Sequence, residues 1–135
     1  MTIDYLRPLN ILVVDDVQVH RFLMASGLSR LNPFIKIEEA SSATEAIDKL
    51  QSGNFNVVIS DWNMPGGDGS QVVEWMRARP HFRRVPFVLI SSNSDQEDII
   101  QAFMELGVDA FVIKPFKSED LYQKMIVALD KRLKL

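Results

Sequence analysis

The chain has 135 residues and no cysteine. That absence excludes a disulfide framework, a thiolate zinc site and cysteine nucleophilic catalysis, and it fits a reducing compartment. Long hydrophobic runs are also missing. The longest are four or five residues, far short of the roughly 20 that a membrane-spanning helix needs. Residues 1–8 lack the apolar stretch of a signal peptide. The expectation is a soluble cytoplasmic protein with no membrane partner. Positive charge is not in excess either, since the formal net charge is −3. Nucleic acid is therefore not the expected partner, because phosphate neutralisation needs a net or clustered basic surface. Two local basic clusters exist, Arg77, Arg79, Arg83, Arg84 and Lys131, Arg132, Lys134. Both read as solvated, one as a loop and one as a helix end favoured by the helix dipole. Gly66, Gly67 and Gly69 do not form a phosphate-cradling P-loop and read as sources of backbone freedom. His20 and His81 have no partner motif and read as ordinary surface or helix residues.

The length suits one compact domain, 1–135 with a core of about 9–133, and 47% apolar residues suffice for a globular core. Short apolar runs recur: Ile11-Leu12-Val13-Val14, Ile35-Lys36-Ile37, Val57-Val58-Ile59, Phe87-Val88-Leu89-Ile90 and Phe111-Val112-Ile113. Four are apolar throughout, as parallel strands covered on both faces are. The second alternates, as an edge strand does. Segments with helical spacing separate them. Ser42-Ala43-Thr44-Glu45 and Ser94-Asp95-Gln96-Glu97 are capping-box patterns, with Gly53 and Gly107 as stops. Further helices are expected over about 17–31, before Pro33, over about 70–79, before Pro80, and from Ser118 through Leu121, Met125, Leu129 and Leu133. The β-α order repeats five times. This predicts an α/β fold, a (βα)5 doubly wound parallel sheet with helices on both faces.

In such a sheet ligands bind beyond the carboxyl ends of the strands. The first strand ends in Asp15-Asp16, the third in Ser60-Asp61, the fourth in Ser91-Ser92 and the fifth in Lys114-Pro115. A parallel sheet brings three carboxylates, a hydroxyl and an ammonium into one pocket. Clustered carboxylates raise one another's pKa, and a divalent cation relieves the conflict. Oxygen-only ligands call for a hard ion, Mg²⁺ with Mn²⁺ as a substitute. A carboxylate left over can act as a nucleophile toward phosphorus.

The set Asp15-Asp16, Asp61-Trp62-Asn63-Met64-Pro65, Asp68-Gly69, Ser91 and Lys114-Pro115-Phe116 resembles the receiver domains of response regulators, CheY-like ones above all. The resemblance covers nearly the whole chain from about Leu9. It implies a flavodoxin-like sheet of strand order 2-1-3-4-5 and a two-component phosphorelay role. By the same resemblance Asp61 is the phospho-acceptor. Asp16, Asp61 and the backbone carbonyl of Asn63 hold Mg²⁺, and Asp15 acts mostly through water. Ser91 hydrogen-bonds the phosphoryl group, Lys114 pairs with it, and the Lys114-Pro115 bond is often cis. No organic cofactor is implied. Phe111 takes the place of a switch aromatic that is often Tyr, so a switch here rests on packing without a hydroxyl contact. The stretch from Ser91 to Lys114 counts one residue longer than the CheY pattern, an excess expected in or near the fourth helix.

The partners so implied are a sensor histidine kinase or a histidine phosphotransfer protein. A downstream protein is expected to dock on the face of the fourth helix, fifth strand and fifth helix. The expectation is a stand-alone receiver, monomeric or weakly dimeric, that is not an enzyme beyond its own phosphorylation and dephosphorylation. Asn63 and Asn93 flank the place where side chains influence attack by water. An alternative is a pseudo-receiver that binds partners without phosphate. Another is a haloacid-dehalogenase-type phosphatase, which requires an Asp-x-Asp motif that Asp15-Asp16-Val17 does not supply.

Overall fold

The computed structural model describes residues 8–64, 69–92 and 96–133. Expectations that fall on Pro65, Gly66, Gly67, Asp68, Asn93, Ser94, Asp95, Lys134 and residues 1–7 lie outside the described residues.

Five parallel strands form one sheet in the order β2-β1-β3-β4-β5. They are β1 (Leu9–Val14), β2 (Ile35–Ala40), β3 (Val57–Asp61), β4 (Phe87–Ser91) and β5 (Ala110–Ile113). Successive side chains of a strand point to opposite faces, so an all-apolar strand feeds two cores. Ile11 and Val13 of β1 join Val57, Ile59, Val88 and Ile90 on one face, against Met24, Leu28, Leu121, Tyr122 and Met125. Leu12 and Val14 join Val58, Phe87 and Leu89 on the other, against Ala46, Leu50, Val72, Val73 and Met76. The mixed second run is an edge strand, as its alternation predicts, and it extends to Ala40.

The helices are α1 (Gln18–Leu31), α2 (Ala43–Ser52), α3 (Gly69–Arg77), α4 (Gln96–Gln101) and α5 (Ser118–Leu133). A variant of the expected capping box opens α2, with the Glu45 carboxylate on the amide before the N-cap. Ser42 Oγ accepts from the Glu45 amide at 3.1 Å, while Glu45 Oε1 accepts from the amide of Ser41 at 2.6 Å. On the opposite side of the sheet, α1 and α5 approach so closely that a Cβ at Gly27 would overlap the Ser118 side chain. Asn32 Nδ2 donates to the Tyr122 hydroxyl at 2.9 Å and ties the end of α1 to α5.

Two elements differ from the sequence expectation. The third helix ends at Arg77, and a 3₁₀ turn at Pro80–Phe82 follows it. The fourth helix is α-helical only to Gln101 and continues as a π-helix over Ala102–Leu106. A π turn takes one more residue than an α turn, so this segment is where extra chain length between Ser91 and Lys114 can be absorbed. It stops at Gly107, whose φ of 73° places it in the left-handed region that glycine enters without strain.

Candidate functional site: the acidic pocket at the carboxyl edge of the sheet

The pocket is assembled by backbone bonds that continue just past the strands. The Asp15 amide donates to Ala40 O at 3.1 Å, the Trp62 amide to Ile90 O at 2.9 Å and the Lys114 amide to Ser91 O at 2.8 Å. These bonds extend the pairing of β1 with β2, of β3 with β4 and of β4 with β5 past the strand ends. The order reverses between β1 and β3, which puts Asp15, Asp16 and Asp61 at the switch point. Their ligand oxygens all lie within 4.8 Å of one another.

Asp61 is only 6% exposed. Its Oδ2 lies 3.3 Å from Lys114 Nζ. Burial raises its carboxyl pKa above the ordinary 3.8. Lys114 opposes the shift, and the neighbouring charges of Asp15 and Asp16 add to it. Asp15 is fully buried. Its Oδ1 accepts from the Val17 amide at 2.8 Å, and its backbone carbonyl accepts from Arg21 Nη1 at 2.6 Å. Oδ2 of Asp15 is buried without a hydrogen-bond donor. A buried carboxylate oxygen in that state costs about 1–3 kcal/mol, so a divalent ion or one of its waters fits the vacant lone pairs. The oxygen-only donor set suits Mg²⁺.

The other expected site residues occupy the same edge. Ser91 is buried at the end of β4, and its hydroxyl donates to the carbonyl of Ser92 at 3.2 Å. Asn63 follows β3 on the exposed rim. The Lys114-Pro115 peptide is cis. A cavity of about 310 Å³ opens between α1 and the turn after β5. Asp15 and Lys114 line its polar part, and His20, Leu23, Met24 and Phe116 are among its walls.

Residues 11–126 match the family model of the response regulator receiver domain. The chain belongs to that family. Receiver domains are the signalling modules of two-component phosphorelays, and this one is CheY-like. Chemotaxis protein CheY of Pseudomonas aeruginosa is 33% identical over 117 residues, which cover 87% of this chain and 93% of that protein. CheY-3 of Vibrio cholerae is 32% identical, covering 87% and 88%. Among solved structures, V. cholerae CheY4 superimposes with a TM-score of 0.82 at 26% identity, covering 91% of this chain and 100% of that one. NtrX of Brucella abortus does so with a TM-score of 0.85 at 26% identity, covering 95% of this chain but 28% of that one.

In this receiver domain Phe111 lies on β5 and is half-buried, not enclosed in the core. Its ring meets Phe103 of the π-helix edge-on, with centroids 5.5 Å apart. Lys131 of α5 sits 5.3 Å from the Phe103 ring. An apolar groove of about 300 Å³ runs here between Ile99, Ile100, Phe103, Met104, Phe111 and Ile113. Met104 is 82% exposed beside it.

Sequence reasoning missed two arrangements. The first is His20, read as an ordinary helix residue, whose Nδ1 lies 3.5 Å from Asp15 Oδ2. No motif signals it, because the pairing depends on how the chain turns from β1 into α1. The second concerns the basic clusters, which are not simply solvated. Arg77 Nη2 and Arg132 Nε clamp the buried Asp109, at 3.1 and 2.5 Å. Both guanidinium groups also donate to Gly107 O. Burial and the nearby Arg132 charge push the pKa of Arg77 down to about 10, with Asp109 opposing. A run of arginines reads the same whether its members face water or a buried carboxylate. Only Asp109, just before the fifth apolar run, hinted at the second.

Proposed function

We propose that this domain accepts a phosphoryl group on Asp61 from a phosphohistidine of a sensor kinase or phosphotransfer protein, with Mg²⁺, and signals by docking. The observation that carries this reading is the gathering of the Asp15, Asp16 and Asp61 carboxylates within 4.8 Å, with Lys114 Nζ 3.3 Å from Asp61 Oδ2. A merely structural site has no reason to bring three acids together at a cost in stability. An Asp61 oxygen attacks phosphorus as the phosphorus–nitrogen bond to the donor imidazole breaks, and the imidazole leaves with the electron pair and takes up a proton. Asp15, Asp16, Asp61 and the Asn63 carbonyl would hold the ion. When bound, the ion neutralises charge on the phosphoryl oxygens. Lys114 pairs with the same oxygens, and the Ser91 hydroxyl leaves Ser92 O to donate to one of them.

Output follows from that movement. Ser91 drawn toward the phosphoryl group vacates space toward which Phe111 can turn, and Phe111 carries Phe103 and the groove on α4, β5 and α5 with it. Phosphorylation then shifts a pre-existing equilibrium of this face. The exposed apolar groove supports a protein target, not a nucleic acid. Chemotaxis is the setting that the names of the CheY relatives suggest, and the cytoplasm is the compartment in which such a relay works. The domain acts as a monomer or weak dimer.

The test is incubation with a small acyl phosphate or phosphoramidate and Mg²⁺, followed by intact mass and peptide mapping. One added phosphoryl group on Asp61, lost in Asp61→Asn, is the expected result. No gain, or gain at another residue, overturns the mechanism, and no gain with retained partner binding favours the pseudo-receiver.

A further inference from the structure

We propose that His20 is a positioning residue for the ion-holding carboxylates and acts through Asp15. The proposal rests on the reading of the acidic trio as a cation site. Asp15 is held at one oxygen only, Oδ1 on the Val17 amide at 2.8 Å. A carboxylate anchored at one oxygen can still pivot about that bond. The other oxygen, Oδ2, is buried and receives no hydrogen bond, and His20 Nδ1 stands 3.5 Å from it.

That separation exceeds a good N–H···O bond by about half an ångström, and the imidazole has room to close it. The His20 side chain is 44% exposed, and it stands at the wall of the cavity that Asp15 and Lys114 line. With its proton on Nδ1, the ring donates to Oδ2 and fixes the plane of the carboxylate. The remaining lone pair of Oδ2 then stays directed at the space shared with Asp16 and Asp61. The oxygen cluster consists of the three aspartates without His20. The contribution of the imidazole is therefore orientation, not ligation. Outer partners of this kind typically change metal affinity about 10–100-fold.

The test is titration of the full chain with Mg²⁺, by calorimetry and by fluorescence of Trp62, the buried residue next to Asp61. Wild type, His20→Ala and His20→Asn are compared, because an Asn side-chain amide offers an N–H close to the position of Nδ1–H. His20→Ala is expected to weaken Mg²⁺ binding about tenfold or more, and His20→Asn to restore most of it. In an Asp15→Asn background His20→Ala is expected to add no further loss. Equal affinity for wild type and His20→Ala overturns the proposal, as does His20→Asn behaving like His20→Ala. If the wild-type chain takes up no Mg²⁺ at all, the cation-site reading itself fails and this inference falls with it.

Discussion

The two ends of the sheet treat a buried aspartate in opposite ways. At the amino end Asp109 is almost fully buried, and both its oxygens are engaged, by Arg77, Arg132 and the Phe87 amide. At the carboxyl end Asp15 is equally buried and one of its oxygens has no donor, while Asp61 shares the pocket with two further acids and one lysine. The same residue type thus serves as a completed structural tie in one place and as an open position in the other. The difference shows where the fold has left free energy for a ligand to recover.

Each prediction strains one end and leaves the other alone. The largest effect is expected from Asp109→Ala, which leaves two guanidinium groups facing each other at a buried site. Breaking a buried pair in this way costs about 3–5 kcal/mol, and a melt followed by circular dichroism should drop by ten degrees or more, at about 4 °C per kcal/mol for a domain of this size. Next in size is the gain from Mg²⁺. At about 100 times its dissociation constant it should stabilise the wild type by about 2.7 kcal/mol. The Asp109→Ala variant should gain as much, whereas Asp61→Asn should gain far less. A smaller effect of opposite sign to Asp109→Ala is expected from Asp61→Asn without metal. The folded-state carboxyl of Asp61 is raised above 3.8, so its ionisation costs stability. That stability is fully present below 3.8 and is lost as pH rises through the raised value. Asp61→Asn should therefore melt higher than wild type at neutral pH, and the gap should close in acid. The smallest effect is expected for Arg83→Ala, which removes an exposed member of the basic cluster whose backbone alone meets Arg132. It should change stability by no more than about 0.5 kcal/mol. A large loss there would mean that the clamp extends beyond Arg77 and Arg132.

The strands were legible because burial on both faces demands continuous apolar runs, and the one alternating run marked the edge. The carboxyl-end residues were legible for a related reason. Polar residues directly after buried strands have few structural uses, so Asp15, Asp16, Asp61, Ser91 and Lys114 stood out together. The clamp was not legible, since helical arginines at Arg77 and Arg132 match a solvated face as well as a buried one. His20 escaped because local spacing does not encode contacts across a strand-to-helix turn. The π-helix was not legible, because a count of residues between Ser91 and Lys114 does not distinguish a π turn from a longer loop. It spans Ala102–Leu106, carries Phe103 against Phe111 and stops at Gly107, whose carbonyl accepts from Arg77 and Arg132.

That π-helix has a consequence for how the domain can vary. It lies between the end of β4, where Ser91 is buried, and a glycine held by two arginines. A change in chain length there is taken up within one turn and need not reach either fixed point. The groove beside Met104 can therefore change shape while the three aspartates at the sheet edge keep their spacing.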